Sequence, residues 1–176
     1  MLKSNEEQAF LRAFEDHADA LFRHTSFRIA DKERARDIVQ DAFLKVWDYV
    51  VGGGTVHEYR TFLYRVVHNL IVDEYRKKRS SSLDALLEDE TIADKIEAQM
   101  ASGSLAESEE ALDWNLQLAH VAEDIERLPE VYRAVLTMRF LDGLSIQEIA
   151  QALEVSHNVI MVRIHRGIAK LKTFYE

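Results

Sequence analysis

The sequence predicts an all-α protein with two small helical domains joined by an acidic linker. Apolar residues recur with the 3.6-residue period of amphipathic helices near both ends of the chain. One proline, six glycines and little alternating β-branched pattern argue against strands. The charge is uneven: residues 83–113 hold ten acids and one base, and this stretch alone accounts for the net charge of −9.

The composition is that of a globular protein, large enough for one ordinary domain or two small ones. Of its 176 residues, 47% are hydrophobic and 30% are charged. No apolar run approaches membrane-spanning length, and the N-terminus lacks the apolar core of a signal peptide. The absence of cysteine excludes disulfides and thiolate zinc sites and fits a reducing cytosol. We therefore expect a cytoplasmic protein without membrane insertion.

Residues 1–80 predict the first domain, built from three helices. The first helix covers about residues 6–29, and the second covers residues 33–50. The run Gly52-Gly53-Gly54-Thr55 then breaks the pattern and predicts a mobile loop. The third helix runs from Tyr59 to about Lys78 and ends in a basic cluster.

Residues 81–106 predict a flexible acidic linker, because their isoleucines and leucines are too sparse to form a stripe that could be buried. The second domain, residues 107–176, begins with a helix that runs into Leu128-Pro129. Proline suits a first helical turn, where its missing N–H is not needed. Asp142-Gly143 ends the helix that follows.

The end of the chain predicts a helix-turn-helix. Ser145 and Glu148 form a capping box that starts a short helix, and Ser156 caps a longer last helix after a three-residue turn. In this motif the second helix enters the DNA major groove. The last helix is also basic, which suits a phosphate backbone. Its side chains predicted to be exposed include Arg163, Arg166, Lys170, Lys172, His157 and His165.

The third helix carries an aromatic and basic cluster, residues 59–65, with two open interpretations. Aromatic faces stack on unpaired bases with about 1–3 kcal/mol each while arginines hold phosphates, so the cluster suits single-stranded nucleic acid. The same aromatics also suit the core side of an ordinary amphipathic helix, which is the commoner outcome. Asn69, Asp73 and Arg76 continue one helical face beyond the cluster and could read base edges.

The second helix is ambivalent as well. Val39, Phe43 and Val46 form its core side, while Asp37, Gln40 and Asp41 are either solvated surface or a docking face for a basic partner helix. The seven histidines offer no set of three metal ligands, and no catalytic arrangement stands out. We therefore expect no metal, no cofactor and no enzymatic activity.

Taken together, the order and spacing of these segments resemble a bacterial sigma-70 family RNA polymerase sigma factor of the extracytoplasmic-function (ECF) group. Residues 37–47 are similar to the stretch of sigma domain 2 that grips the clamp helices of RNA polymerase. Residues 59–79 resemble the part that melts and reads the −10 promoter element. Residues 128–136, 143–150 and 163–167 resemble sigma domain 4, which reads the −35 element.

The resemblance implies three groups of site residues. Polymerase contacts are expected at Asp37, Gln40, Asp41 and Trp47. Contacts with the −10 element are expected at Tyr59, Phe62, Arg65, Asn69, Asp73 and Arg76. Contacts with the −35 element are expected at His157, Asn158, Arg163, His165, Arg166 and Lys170.

The implied activity is transcription initiation. The implied partners are the RNA polymerase core (the clamp helices of its large subunit and its flap) and promoter DNA, with an anti-sigma factor as a further candidate. The main alternative is a free-standing helix-turn-helix regulator, which would need its own dimer interface and would not need the surface at residues 37–47. A sigma-like decoy that does not bind DNA is a third interpretation.

The sequence departs from the family at the start of the recognition helix. Where members usually have Thr, Lys and Ser, this chain has Val159, Met161 and Val162, so three polar DNA contacts are replaced by apolar groups. Such groups can still touch thymine methyls, which predicts a shifted or weaker −35 preference. Glu154 stands where glycine is common in the turn, and a left-handed backbone there would cost about 1 kcal/mol.

Overall fold

The computed structural model describes residues 4–80 and 118–175. The predicted linker, residues 81–106, and the beginning of the predicted second domain therefore lie outside the described residues. Within the described ranges every regular element is helical, which confirms the all-α class. The chain divides into two compact units, an N-terminal one and a C-terminal one.

The N-terminal unit contains three helices, as predicted: α1 (Ser4–Ser26), α2 (Lys32–Val51) and α3 (Tyr59–Ser80). Asp31 caps the start of α2, since its carboxylate accepts the N–H groups of Glu33 and Arg34 at 3.0 and 3.1 Å. The apolar faces of all three helices meet in one core. Its fully buried side chains include Leu21, Ile29, Ile38, Val46, Leu63, Tyr64, Val67 and Ile71.

Polar contacts also tie the parts of this unit together. The Arg34 guanidinium on α2 donates two hydrogen bonds to Oε2 of Glu74 on α3, at 2.9 Å from Nε and 2.6 Å from Nη2. This bond lowers the pKa of the Glu74 carboxyl and raises the pKa of Arg34. After α1, the buried Arg28 reaches a ring nitrogen of His68 on α3 at 3.2 Å, and its carbonyl accepts the Tyr75 hydroxyl.

The C-terminal unit begins with α4 (Leu118–Glu126) and α5 (Glu130–Leu136), and α5 continues into a π-helical stretch, Thr137–Leu141. It ends with α6 (Ile146–Leu153) and α7 (His157–Lys172). Helices α5 and α7 approach closely at Gly167, where a Cβ atom would lie 2.9 Å from Leu136 Cδ1. Buried apolar side chains of the unit include Val135, Met138, Leu144, Ile146, Ile149, Ile160 and Ile164.

The helix caps predicted from the C-terminal sequence form, and the structure adds a π-helical stretch. Ser145 and Glu148 make both bonds of the capping box, at 3.2 and 2.7 Å. Ser156 caps α7 by accepting the Val159 N–H at 3.3 Å. The sequence did not predict the π-helical stretch, in which the Asp142 N–H bonds the Thr137 carbonyl five residues back at 3.0 Å.

The turn between α6 and α7 has a left-handed backbone at Glu154, the condition under which strain was expected. This residue ends α6 with φ 57° and ψ 38°, in the left-handed region. It is the only residue other than glycine with positive φ in the described parts of the chain. A Cβ-bearing residue in this conformation is strained by about 1 kcal/mol, so the helix-turn-helix corner forms at a local cost.

Candidate nucleic-acid interface

Helix α7 carries most of the predicted −35 residues on its exposed side. His157, Asn158, His165 and Lys170 are exposed, and Arg166 is half-buried. The Lys170 ammonium also lies 5.8 Å from the centroid of the Tyr132 ring. The opposite side of the helix enters the core through Ile160, Ile164, Gly167, Ile168 and Leu171. The structure therefore leaves five of the six predicted side chains at least partly accessible.

Arg163 is the exception, and the prediction that it lies on the exposed side of α7 is wrong. It is only 8% exposed. On an α-helix, with 100° per residue, positions four residues apart lie on nearly the same side. Val159 and Gly167, four residues before and after Arg163, are both buried. This helical register brings its Cβ next to the buried side. The sequence interpretation had grouped Arg163 with Arg166, Lys170 and Lys172 as one exposed basic set.

The apolar run at the start of α7 is also placed differently from the prediction. Val159 and Val162 are 8% and 6% exposed and pack with the half-buried Val155 in a small apolar cluster. Of the three substituted positions, only Met161 is therefore partly accessible.

Helix α3 aligns the predicted −10 residues along one side. Tyr59, Phe62 and Arg65 are half-buried, whereas Asn69, Asp73 and Arg76 are exposed. At 100° per residue, all six fall within a sector of about 120°. Arg76 lies 3.7 Å from the Asp73 carboxylate. Partial burial and the charge of Glu6 raise the pKa of the Tyr59 hydroxyl.

The glycine turn between α2 and α3 is held by hydrogen bonds, whereas the sequence predicted a mobile loop. The N–H groups of Gly52, Gly53 and Gly54 bond the carbonyls of Asp48, Val50 and Tyr49 at 2.9, 3.0 and 2.9 Å. Gly53 adopts φ 91°, which requires glycine. These three bonds hold the turn against the C-terminal end of α2.

Tyr49 is a functional candidate that the sequence interpretation missed. Its ring covers Gly54, where a Cβ atom would lie 2.3 Å from Tyr49 Cε1, and yet the side chain is 47% exposed. Its centroid lies 5.4 Å from that of Phe62 on α3, with the ring planes tilted by 43°. The only sequence signal was an aromatic residue shortly before a glycine run, a pattern that usually indicates no more than the end of a helix.

Helix α2 exposes an acidic face that includes a large apolar side chain. Asp37, Gln40, Asp41 and Asp48 are exposed, and Leu44 lies among them with 60% of its surface exposed. Trp47 sits at the margin of this face, half-buried against the Phe10 ring at a centroid distance of 4.9 Å. Leu44 was missed, although its spacing of four residues from Gln40 and three from Asp41 placed it on this face.

The described residues offer no other type of site. No cluster of three or more potential metal ligands occurs among residues 4–80 and 118–175. None of the described helices has the length and apolar character needed to cross a membrane.

Comparison with known proteins matches both helical units to one family. The model of sigma-70 region 2 matches residues 13–81, and the model of sigma-70 region 4 matches residues 122–171. The chain is 27% identical over 173 residues to the ECF RNA polymerase sigma factor SigW of Bacillus subtilis, covering 97% of this chain and 91% of SigW. It is also 27% identical over 173 residues to the ECF RNA polymerase sigma factor SigL of Mycobacterium tuberculosis, covering 94% and 89%.

A solved structure agrees with these sequence relatives. CnrH, solved in complex with the cytosolic domain of CnrY, superimposes with a TM-score of 0.64 at 25% identity, over 96% of this chain and 88% of that chain. Two family models in the expected order, full-length relatives and a matching fold agree. The chain therefore belongs to the sigma-70 family, as a transcription initiation sigma factor of the ECF group.

Proposed function

We propose that this sigma factor brings RNA polymerase core to promoters through three surfaces: the α2 face for the polymerase, the side of α3 for the −10 element, and α7 for the −35 element. The observation that carries the proposal lies in the N-terminal unit. There an acidic face with an exposed leucine and an aromatic-polar face occur on different helices that share one core. A stand-alone DNA reader has no use for the first of these faces.

The α2 face suits a basic partner helix with an apolar stripe. Carboxylates at Asp37 and Asp41 attract positive charge, while Leu44 supplies apolar area that is lost from water on docking. An isolated exposed leucine needs no explanation, but one among acids at helical spacing resembles the anchor of a polar-rimmed interface. We assign the polymerase contact to Asp37, Gln40, Asp41 and Leu44, with Trp47 at the margin.

The α3 side suits unpaired bases. Phe62 and Tyr59 provide aromatic surface, Arg65 and Arg76 provide cations for phosphates, and the Asn69 amide can pair with a base edge. Strand opening is then favoured because the open strand gains contacts that the duplex cannot make. Asp73 lies 3.7 Å from the Arg76 guanidinium in an exposed ion pair of the same helix.

The α7 surface suits duplex DNA. His157 and Asn158 lie at the N-terminal end of the second helix of the motif, which is the end that contacts base edges in this class. His165, Arg166 and Lys170 follow along the helix toward the phosphates. Arg163 can join this surface only through a conformational change that exposes it.

The partners follow from the family. We propose that the C-terminal unit also meets the polymerase flap and that the acidic linker passes near the RNA exit path. We also propose a protein regulator: the resemblance to ECF sigma factors implies the anti-sigma type, and the similar protein CnrH is solved in complex with another protein, the cytosolic domain of CnrY. Domain limits at residues 1–80, 81–106 and 107–176, a cytoplasmic location and the absence of enzymatic activity and of cofactors complete the proposal.

The decisive test is co-purification with core polymerase, followed by run-off transcription from promoters selected by the reconstituted holoenzyme. We expect stable association and promoter-specific transcripts. An Asp37→Asn/Asp41→Asn variant should bind core polymerase more weakly. Tight, specific promoter binding by the chain alone, with no affinity for polymerase, would contradict the proposal and favour the free-standing regulator.

The −10 assignment has its own test within the holoenzyme. A Phe62→Ala/Asn69→Ala variant should retain polymerase binding and lose permanganate reactivity of −10 thymines, because unpaired bases are no longer held. Normal strand opening by this variant would show that these side chains only support the fold.

A further inference from the structure

The aromatic cluster at the glycine turn holds an exposed tyrosine ring in one place. Tyr49 Cε1, Cζ and Cδ1 would lie 2.3, 2.4 and 2.6 Å from a Cβ atom on Gly54, so the ring is seated on the glycine backbone. Phe62 packs beside it at 5.4 Å between centroids. An aromatic side chain that is 47% exposed is normally free to change rotamer, whereas this one is confined by two contacts.

The glycine at position 54 is required by this ring and not by the backbone. Gly53 and Gly143 are the described glycines with positive φ, and Gly54 is not among them. An alanine at position 54 would therefore be compatible with the backbone, but its methyl group would overlap the Tyr49 ring. Together with the bond from the Gly54 N–H to the Tyr49 carbonyl at 2.9 Å, this makes the ring and the turn one unit.

The chemistry of the exposed ring favours a nucleobase as its partner. Phe62 belongs to the α3 side assigned above to the −10 strand and also touches Tyr49, so the ring extends that surface toward the turn. A flat ring held in advance gains stacking energy without losing rotamer freedom, and every base offers a complementary face. A phosphate would instead need a cation or several N–H donors, and the N–H groups of all three glycines are already bonded within the turn.

We propose that Tyr49 is a stacking residue for one unpaired base of the −10 strand and that Gly54 is its positioning residue. This inference rests on the proposed −10 function of α3 and adds a site at the end of α2. Because stacking tolerates any base, Tyr49 contributes affinity and fixes where that base lies along the strand. The position of the Tyr49 ring on Gly54 thus determines how far the stacked base lies from the bases held by α3.

The test uses holoenzyme and a single-stranded −10 oligonucleotide with 2-aminopurine placed at successive positions. We expect strong fluorescence quenching at one position with the unchanged chain, because the probe stacks on the ring. Tyr49→Leu should abolish that quenching and weaken binding about tenfold, the size of one lost base–aromatic stack. Tyr49→Phe should preserve both, which a role for the hydroxyl would not allow.

Gly54→Ala tests the same contact without changing the aromatic residue. The added methyl group should displace the ring and reduce quenching and affinity in the same direction as Tyr49→Leu. In a Tyr49→Leu background, Gly54→Ala should have no further effect, since the clash is gone. Thr55→Ala, at an exposed position of the same loop, is the matched control and should behave as the unchanged chain.

The outcomes separate the two levels of the proposal. Unchanged quenching and affinity in both Tyr49→Leu and Gly54→Ala overturn the inference, provided that Phe62→Ala/Asn69→Ala loses strand opening. If the Phe62/Asn69 variant opens DNA normally, the assignment of the −10 site to α3 fails instead, and this inference fails with it. Binding to core polymerase and a thermal melt are measured for each variant. If Tyr49→Leu does not fold, the result for Gly54→Ala alone decides the test.

Discussion

Leu44→Ala should weaken binding to core polymerase by about tenfold and leave the fold intact. The substitution removes three carbons, each worth about 0.8 kcal/mol when fully transferred out of water. Leu44 is 60% exposed, so docking can bury only that fraction, which gives a loss of about 1.4 kcal/mol. At 1.4 kcal/mol per tenfold change, the dissociation constant should rise about tenfold. The free energy of unfolding should change by less than about 0.5 kcal/mol, as for most surface substitutions.

The assay is competition of labelled and unlabelled sigma chains for a limiting amount of core polymerase. Leu11→Ala is the matched control, because Leu11 is also an exposed leucine, 53% accessible, but lies on α1. It should change the dissociation constant by less than about twofold, within the usual range of a surface substitution. Equal affinity of Leu44→Ala and the unchanged chain, or an equal loss with Leu11→Ala, would refute the assignment of the α2 face.

Three further predictions concern stability and are measured by urea unfolding. The pKa of Glu74 is lowered in the folded state by Arg34, so this pair stabilises the protein above the unfolded pKa of Glu (about 4.3). The stabilisation is lost as pH falls through the folded value, and Glu74→Gln should remove this pH-dependent component. Gly167→Ala should destabilise by about 1–3 kcal/mol, because the new Cβ lies 2.9 Å from Leu136 Cδ1. Glu154→Gly should be about 1 kcal/mol more stable than Glu154→Ala, since only glycine relieves the left-handed backbone.

Helix boundaries could be predicted closely because local chemistry determines them. Ser145 and Glu148 formed the expected capping box, and Ser156 capped α7. Each of these outcomes depends on a few neighbouring residues. The π-helical stretch after Leu136 had no such local signal, and its Thr137 and Met138 are fully buried.

The site was predicted less completely, because exposure depends on contacts distant in sequence. The side of α3 followed from helical period alone, and so did the exposure of Asp37, Gln40 and Asp41 on α2. The burial of Arg163 and of the valines near it could not be predicted from the helical period, because burial depends on what packs against the helix. Tyr49 was missed for a related reason, because its role depends on the glycine turn folding back onto its ring.

The exposure of α7 bears on how the chain can recognise a promoter. With Arg163 buried, the accessible lysines and arginines of this helix are Arg166, Lys170 and Lys172. Three phosphate contacts release few counterions, so the logarithm of the binding constant falls with the logarithm of the salt concentration with a slope of only about −3. Such a surface alone binds duplex DNA weakly. Under the proposed assignment, promoter recognition by α7 depends on tethering. With the N-terminal unit on the polymerase and the −10 strand captured, α7 would meet the −35 element at high effective concentration. Two weakly binding surfaces linked in this way would discriminate sequences that neither unit would select alone.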